Sequence, residues 1–259
     1  MFTHLLSLPF ARQLRFLFVA ALLLSGVAPS MAQAPDLAAS VIGLGTATQV
    51  VTEGNPFFPP GAAVGDQGLV FFSATETFPM TDQARVTAPP VRISGVTPGQ
   101  KLVGIDSRPL NGLLYGLGYD GSKTTANAQL YTVDTATGAV TPVGAATTLA
   151  LGTVGPLGQN IGFDFNPVAD RIRVVSSNRA NYRLDPRDGS VVLKDGDLAY
   201  TTGTLTPGVT TAAYTNSTIG STSTTLYNVD KQNGSILTIQ SLPNNGTLIR
   251  TQPRLLLRR

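Results

Sequence analysis

A hairpin motif recurs three times along the 259 residues of the chain. It reads Leu130-Tyr-Thr-Val-Asp-Thr-Ala-Thr-Gly138, Asn181-Tyr-Arg-Leu-Asp-Pro-Arg-Asp-Gly189 and Leu226-Tyr-Asn-Val-Asp-Lys-Gln-Asn-Gly234. The tyrosines at 131, 182 and 227 stand 51 and 45 residues apart, a period that points to propeller blades or a comparable array. Tyr131 and Val133 alternate with Thr132, the period of a strand. Asp134, Asp185 and Asp230 are placed to accept backbone N–H bonds and start a turn. Gly138, Gly189 and Gly234 supply the positive φ that a hairpin loop of this length requires. These six residues are therefore expected to be structural turn residues.

A second element precedes the first two hairpins. Gly104-Ile-Asp-Ser-Arg-Pro109 leads to Leu113-Leu-Tyr115, and Gly162-Phe-Asp-Phe-Asn-Pro167 leads to Arg171-Ile-Arg-Val-Val175. Both read as strand, Asp-x-x-Pro turn, strand. Together with a hairpin they make about four strands per unit, the content of one propeller blade. Val209 to Tyr214 opens a third, less regular unit, and a degenerate earlier hairpin runs from Leu69–Ser73 to Val91–Ile93. No stretch of the body carries a capped, 3.6-residue apolar period. The expected fold is all-β: a β-propeller-like array of four-stranded antiparallel units, open or incomplete, preceded by a signal-peptide helix.

The N-terminus supports export. Arg12 and Arg15 precede an apolar run from Phe16 to Leu24, and Ser30-Met-Ala32 follows. A basic start, a short apolar stretch and small residues before the cut site make a secretory signal peptide. The run is too short for a span of about 20 residues, so no stable membrane anchor is expected after cleavage. The expected organisation is a signal peptide over 1–32, an N-terminal extension over 33–64, the repeat domain over 65–248 and a basic tail over 249–259. The mature chain is expected to be secreted or periplasmic.

Cleavage after Ala32 removes His4, the one histidine, and the chain has no Cys and no Trp. A Ser-His-Asp triad, a thiol nucleophile and a His- or Cys-held metal are thereby excluded. The formal charge of +3 is also a property of the ends: residues 33–249 carry 12 Lys and Arg against 15 Asp and Glu, a net of −3. No nucleic-acid footprint is present in the body.

Three further patterns raise site hypotheses. Arg171, Arg173, Arg179, Arg183 and Arg187 cluster within 17 residues; Arg171, Arg173 and Arg179 are the candidates for holding a carboxylate or phosphate ligand, with Arg171 and Arg173 on one strand face, and the alternative is pairing with Asp170, Asp185 and Asp188. Asp195 and Asp197 offer two carboxylates to a hard cation such as Ca²⁺. Gly116-Leu-Gly-Tyr-Asp-Gly121 matches a dinucleotide fingerprint, but a strand rather than a helix is expected to follow, so it reads as an inter-strand loop.

Leu102-Val-Gly-Ile-Asp-Ser-Arg-Pro109, Leu114-Tyr-Gly-Leu-Gly118, Gly162 to Ser176 and Ala212-Ala-Tyr-Thr-Asn-Ser217 resemble, in order, the secreted bacterial domain-of-unknown-function 4394 family. The resemblance spans about residues 65–248. It implies an exported β-propeller-like protein and no assigned activity. The hairpins are also similar to those of YVTN and quinoprotein-like propellers. The expected function is a non-catalytic binding or interaction module for an unknown protein or small-molecule ligand. The alternatives are a propeller enzyme, Ca-dependent and lactonase-like or quinone-dependent, and a structural matrix protein. Catalytic residues are not assigned. Bound calcium in purified protein would favour the enzyme, and high-order assembly would favour the matrix protein.

The resemblance implies further repeats beyond Asn244-Asn-Gly-Thr-Leu248, whereas the sequence turns abruptly to Arg and Leu. A frameshift or truncation near residue 249 is therefore expected. Resequencing the coding DNA past codon 248 is expected to find Tyr-x-x-Asp repeats in another frame; a confirmed Arg/Leu end followed by no repeats would refute this.

Overall fold

A computed structural model describes residues 40–47, 61–73, 86–153 and 160–251. The expected signal segment 1–32 and residues 252–259 of the expected tail lie outside them. Sixteen strands form four sheets. The first sheet holds β1 (Ser40–Thr46), β2 (Gln67–Ser73) and β3 (Val86–Arg92). The second holds β4 (Lys101–Ser107), β5 (Leu114–Tyr119), β6 (Ala128–Val133) and β7 (Val140–Thr147). The third holds β8 (Ile161–Asn166), β9 (Arg171–Ser176), β10 (Asn181–Leu184) and β11 (Val191–Lys194). The fourth holds β12 (Ala199–Tyr200), β13 (Ala213–Tyr214), β14 (Leu226–Asp230), β15 (Ile236–Leu242) and β16 (Thr247–Arg250), in the order β12-β16-β15-β14-β13. All neighbours are antiparallel except β12 and β16. The fold is all-β and propeller-like, as expected.

Apolar layers join each sheet to the next. Leu44 and Leu69 meet Leu102, Ile105 and Tyr131 between the first two sheets. Leu117 and Leu130 meet Phe163, Phe165 and Leu184 between the second and third. Val175 meets Leu198, Val209, Leu226 and Leu248 between the third and fourth. Fully burying one such side chain contributes about 1.5–3 kcal/mol. The middle sheets are therefore buried on both faces: β6 and β9 each have five of six residues buried.

The leading strands β4, β8 and β13 pack side by side, and two glycines allow it. A Cβ on Gly104 would lie 2.5 Å from Phe163 Cβ, and one on Gly162 would lie 2.5 Å from the Ala212 backbone nitrogen. Asp106 and Asp164 use this proximity. Asp106 Oδ2 accepts the Phe165 N–H at 2.8 Å, and Asp164 Oδ2 accepts the Tyr214 N–H at 2.6 Å. Each carboxylate thus ties its leading strand to the next. The reading of these residues as Asp-x-x-Pro turns is corrected: both lie inside strands and are buried. The turns are held elsewhere, in the second unit by Asn166 Oδ1 accepting from Val168 and Ala169.

The turn geometry of the first two hairpins repeats closely. Asp134 Oδ1 accepts from Ala136 and Thr137, and Asp185 Oδ1 from Arg187. Gly138 and Gly189 both sit at φ +71 and donate to the carbonyls of Asp134 and Asp185. A side chain at Gly138 would also strike the Arg92 carbonyl of the first sheet. Asp230 accepts from Asn233 N–H, with Gly234 at φ +91.

The third hairpin occupies a different place in its sheet. Tyr131 and Tyr182 lie on third strands, β6 and β10, whereas Tyr227 lies on a second strand, β14. The shorter spacing of 45 against 51 has this cause: the fourth unit goes from β13 straight into its hairpin. Cross-strand pairing makes Tyr227 the counterpart of Tyr115 and Arg173, since the three pair with Ala213, Asp106 and Asp164 at the same register.

Two boundaries also move. β1 falls inside the expected extension 33–64 and pairs with β2 along its whole length. Ile249 and Arg250, placed in the tail, complete β16. Gly104→Ala and Gly162→Ala are expected to cost about 1–3 kcal/mol each, the usual overpacking range. Urea unfolding checks this, and unchanged midpoints would mean that the leading strands separate freely.

Candidate functional site

The β9–β10 pairing sets Arg173 directly opposite Arg183 on one sheet face. Like charges across a strand pair repel. Asp195 resolves the clash: its Oδ2 accepts from Arg173 Nη1 at 2.6 Å and Arg183 Nε at 2.8 Å, and its Oδ1 accepts from Arg183 Nη2 at 2.8 Å. Asp195 is held in place by its own N–H, which donates to Asn181 O at 2.8 Å.

Arg173 is 2% exposed, so every donor needs a partner. Its Nη1 also reaches Asn181 Oδ1 at 2.6 Å, its Nη2 donates to Asn244 Oδ1 at 3.1 Å, and its Nε lies 3.4 Å from Tyr214 Oη. The third and fourth sheets are thus joined by a polar layer as well as an apolar one. Asn228 and Gln240 extend it, with Asn228 Nδ2 donating to Gln240 Oε1 and Gln240 Nε2 to Pro243 O.

Above this layer opens a cavity of about 410 Å³. Arg171, Arg173, Arg183, Tyr214, Asn244 and Asn245 supply its polar lining, and Ile172, Leu242 and Pro243 its apolar part. Among the described residues, none of those lining it is acidic. Behind it, Asp195 serves both Arg173 and Arg183, so one of those two charges is left unneutralised. Arg171 contributes a further guanidinium, 3.7 Å from Asp185. The site is rich in donors and positive in charge, which suits an anion.

The structure brings Arg171 and Arg173 together here, on alternate residues of β9. Arg179 lies elsewhere: it sits in the β9–β10 turn at φ +75, donates to Leu198 O and pairs with Asp197 at 3.6 Å. Arg183, a member of the same arginine cluster in the sequence, is a lining residue, because a four-residue turn across Ser177–Ala180 brings it opposite Arg173. Asp195 and Asp197 are both engaged by cationic side chains, Asp195 as above and Asp197 by Arg179 and Lys194 at 3.6 Å. Among the described residues, no three His, Cys, Asp or Glu side chains form a metal-binding group. Gly116 and Gly118 lie within β5, and β6 follows, so no helix N-terminus meets them.

A second polar centre lies between the leading strands. The buried carboxyls of Asp106 and Asp164 face each other across the two leading strands. Asp106 already accepts from Ser107 N–H and Phe165 N–H, one on each oxygen. Asp164 accepts the Tyr214 N–H on Oδ2, which leaves Oδ1 as the oxygen placed to hold a proton beside the Asp106 carboxylate. Burial pushes the Asp106 carboxyl up to about 6. Burial and the facing Asp106 charge hold Asp164 well above the carboxylate range.

Four sheets, antiparallel but for the β12–β16 pair and packed face to face through apolar layers, with a donor-lined cavity between the last two, make an all-β fold of propeller-like kind. The family model described as "Domain of unknown function (DUF4394)" matches residues 77–254, well over half of the chain, and the protein belongs to that family. No curated protein matches the chain.

The carboxyl pair gives stability an unusual pH dependence. A carboxyl raised in the folded state contributes stability that is full below its ordinary value of 3.8 and is lost as pH rises through about 6. Asp185, held low by Arg187, contributes the opposite way and loses its share in acid. Thermal stability is therefore expected to peak in mildly acidic solution and fall towards neutrality. Asp164→Asn keeps an acceptor for Tyr214 and a donor for Asp106. It is expected to flatten that fall and to match or exceed the parent at pH 8. Melting curves from pH 4 to 8 check this, and parallel profiles would overturn it.

Proposed function

We propose that the protein is an exported, non-catalytic β-propeller-like binding module whose cavity between the third and fourth sheets takes a small anionic ligand bearing a carboxylate or phosphate. The observation that carries this reading is the lining itself: three guanidiniums and no acid. Arg183, whose Nε and Nη2 are held by Asp195, presents Nη1 to a ligand, and the part-exposed Arg171 adds a second cationic donor group. Tyr214, Asn244 and Asn245 add groups that bond the rest of a polar ligand, and Leu242 and Pro243 offer it an apolar edge. The non-catalytic reading is supported by the residues present between 33 and 259, which include no His and no Cys. Export is supported by the N-terminal pattern over residues 1–32.

Titration with inorganic phosphate and with citrate, at ionic strength matched with chloride, tests the cavity by calorimetry. A saturable heat is expected for at least one of the two. Arg171→Gln and Arg183→Gln are each expected to weaken it roughly tenfold or more, since a hydrogen bond to a charged group is worth about 1.5–3 kcal/mol. Saturable binding to neither probe, or binding untouched by both substitutions, would overturn the proposal.

A further inference from the structure

The positive charge of the cavity sits at two separate places. Arg171 and Arg173 are two residues apart on one face of β9, so their backbones stand about 6.5–7 Å apart along the strand. Arg183 lies opposite Arg173, and Leu184 opposite Ile172, which puts Asp185 beside Arg171. Two carboxylates draw these guanidiniums in opposite directions along β10. Asp195 holds Arg173 and Arg183 from the Asn181 end, where its own N–H donates to Asn181 O. Asp185 draws Arg171 towards the other end, with Arg171 Nη2 at 3.7 Å from its Oδ2.

Neither place is neutralised. Asp195 is shared between two cations. Asp185 accepts from Arg187 Nε at 2.9 Å and Nη2 at 2.5 Å, and meets Arg171 only through the longer contact. Asp170, next to Arg171 in the chain, is taken by Arg108. Each place also keeps a donor. Arg183 spends Nε and Nη2 on Asp195, which leaves Nη1. Arg171 spends Nη1 on the Asp170 carbonyl, which leaves Nη2. Arg173 adds charge but no donor, because all three of its nitrogens are engaged.

We infer that the cavity selects a short dicarboxylate, with one carboxylate at Arg183 Nη1 and the other at Arg171 Nη2. This rests on the anion-binding reading of the cavity proposed above. A lone phosphate or carboxylate group meets one of two donors held a two-residue strand step apart. Two carboxylates on a short hydrocarbon linker meet both. Leu242 and Pro243 give that linker an apolar wall, and about 410 Å³ accommodates such a ligand.

Calorimetric titration with fumarate, maleate and butyrate, at pH 8 and matched ionic strength, tests the inference. Fumarate and maleate carry the same two charges, which point apart in the first and together in the second. Fumarate is expected to bind roughly tenfold or more tighter than either maleate or butyrate, the scale of one further hydrogen bond to a charged group. Arg171→Gln is expected to remove the advantage over butyrate and to leave butyrate affinity within about twofold. Arg171 is part-exposed, and an unchanged melting temperature checks that this variant folds; the fumarate–maleate comparison needs no variant. Fumarate binding no tighter than maleate or butyrate, or an advantage that survives Arg171→Gln, would overturn the inference, while saturable phosphate or citrate binding would leave the anion-binding reading standing. Silence from every anion would overturn both.

Discussion

The close contact of the leading strands is the constraint on which the remaining structure depends. β4, β8 and β13 approach until only a hydrogen fits at Gly104 and Gly162. That spacing lets a carboxylate on one strand reach a backbone N–H on the next, at Asp106 and Asp164. Once the leading strands are fixed, each four-stranded meander extends outward from its own strand, and its faces must meet those of its neighbours. The apolar layers follow from this geometry. The ladder ends at the fourth sheet, where Ala213 stands at the position of the aspartates.

The first two sheet-to-sheet layers are apolar apart from the Gln67 bonds to Leu102 and the Asp106–Asp164 pair, and the third is polar at its centre. Between the second and third sheets the register position following the leading strand holds Tyr115, which stacks against Phe165. Between the third and fourth the same position holds Arg173. A buried guanidinium must be fully hydrogen-bonded, and losing a partner of such an ion is strongly destabilising, by about 3–5 kcal/mol. That requirement recruits Asp195, Asn181 and Asn244. It also keeps the two sheets from closing at this level, so that a cavity opens beside it. The polar site is thus a consequence of one side chain at one register position.

Much of the fold was legible in the residues. The Tyr-x-x-Asp-x-x-x-Gly segments are hairpins, four strands make a unit, and the degenerate hairpin from Leu69 to Ile93 is β2 and β3. The spacing of Arg171 and Arg173 gave two lining residues. What the repeat pattern concealed was strand position. The third hairpin keeps its local signature because Asp230 and Gly234 satisfy the turn locally, yet it sits one strand closer to the leading edge. A turn motif reports only its own few residues, and it is blind to how many strands precede it in the sheet. Asp106 and Asp164 were misread for a related reason: Asp followed by Pro is a common turn signal, and their actual bonds run 59 and 50 residues along the chain.

The sequence by itself determined the period-2 strands, the hairpin turns, the lack of α-helix among the described residues and the exclusion of histidine and thiol chemistry from residues 33–259. These depend on short-range sterics, hydrogen bonding and residue inventory. Only the tertiary structure decided that Asp195 holds Arg173 and Arg183 together, that the Asp106 and Asp164 carboxyls are buried against each other, and that Asn244 closes the cavity over Arg173 from 71 residues away. Those assignments depend on which faces pack together. That is set by the sum of many apolar contacts between sheets, and no local pattern encodes it.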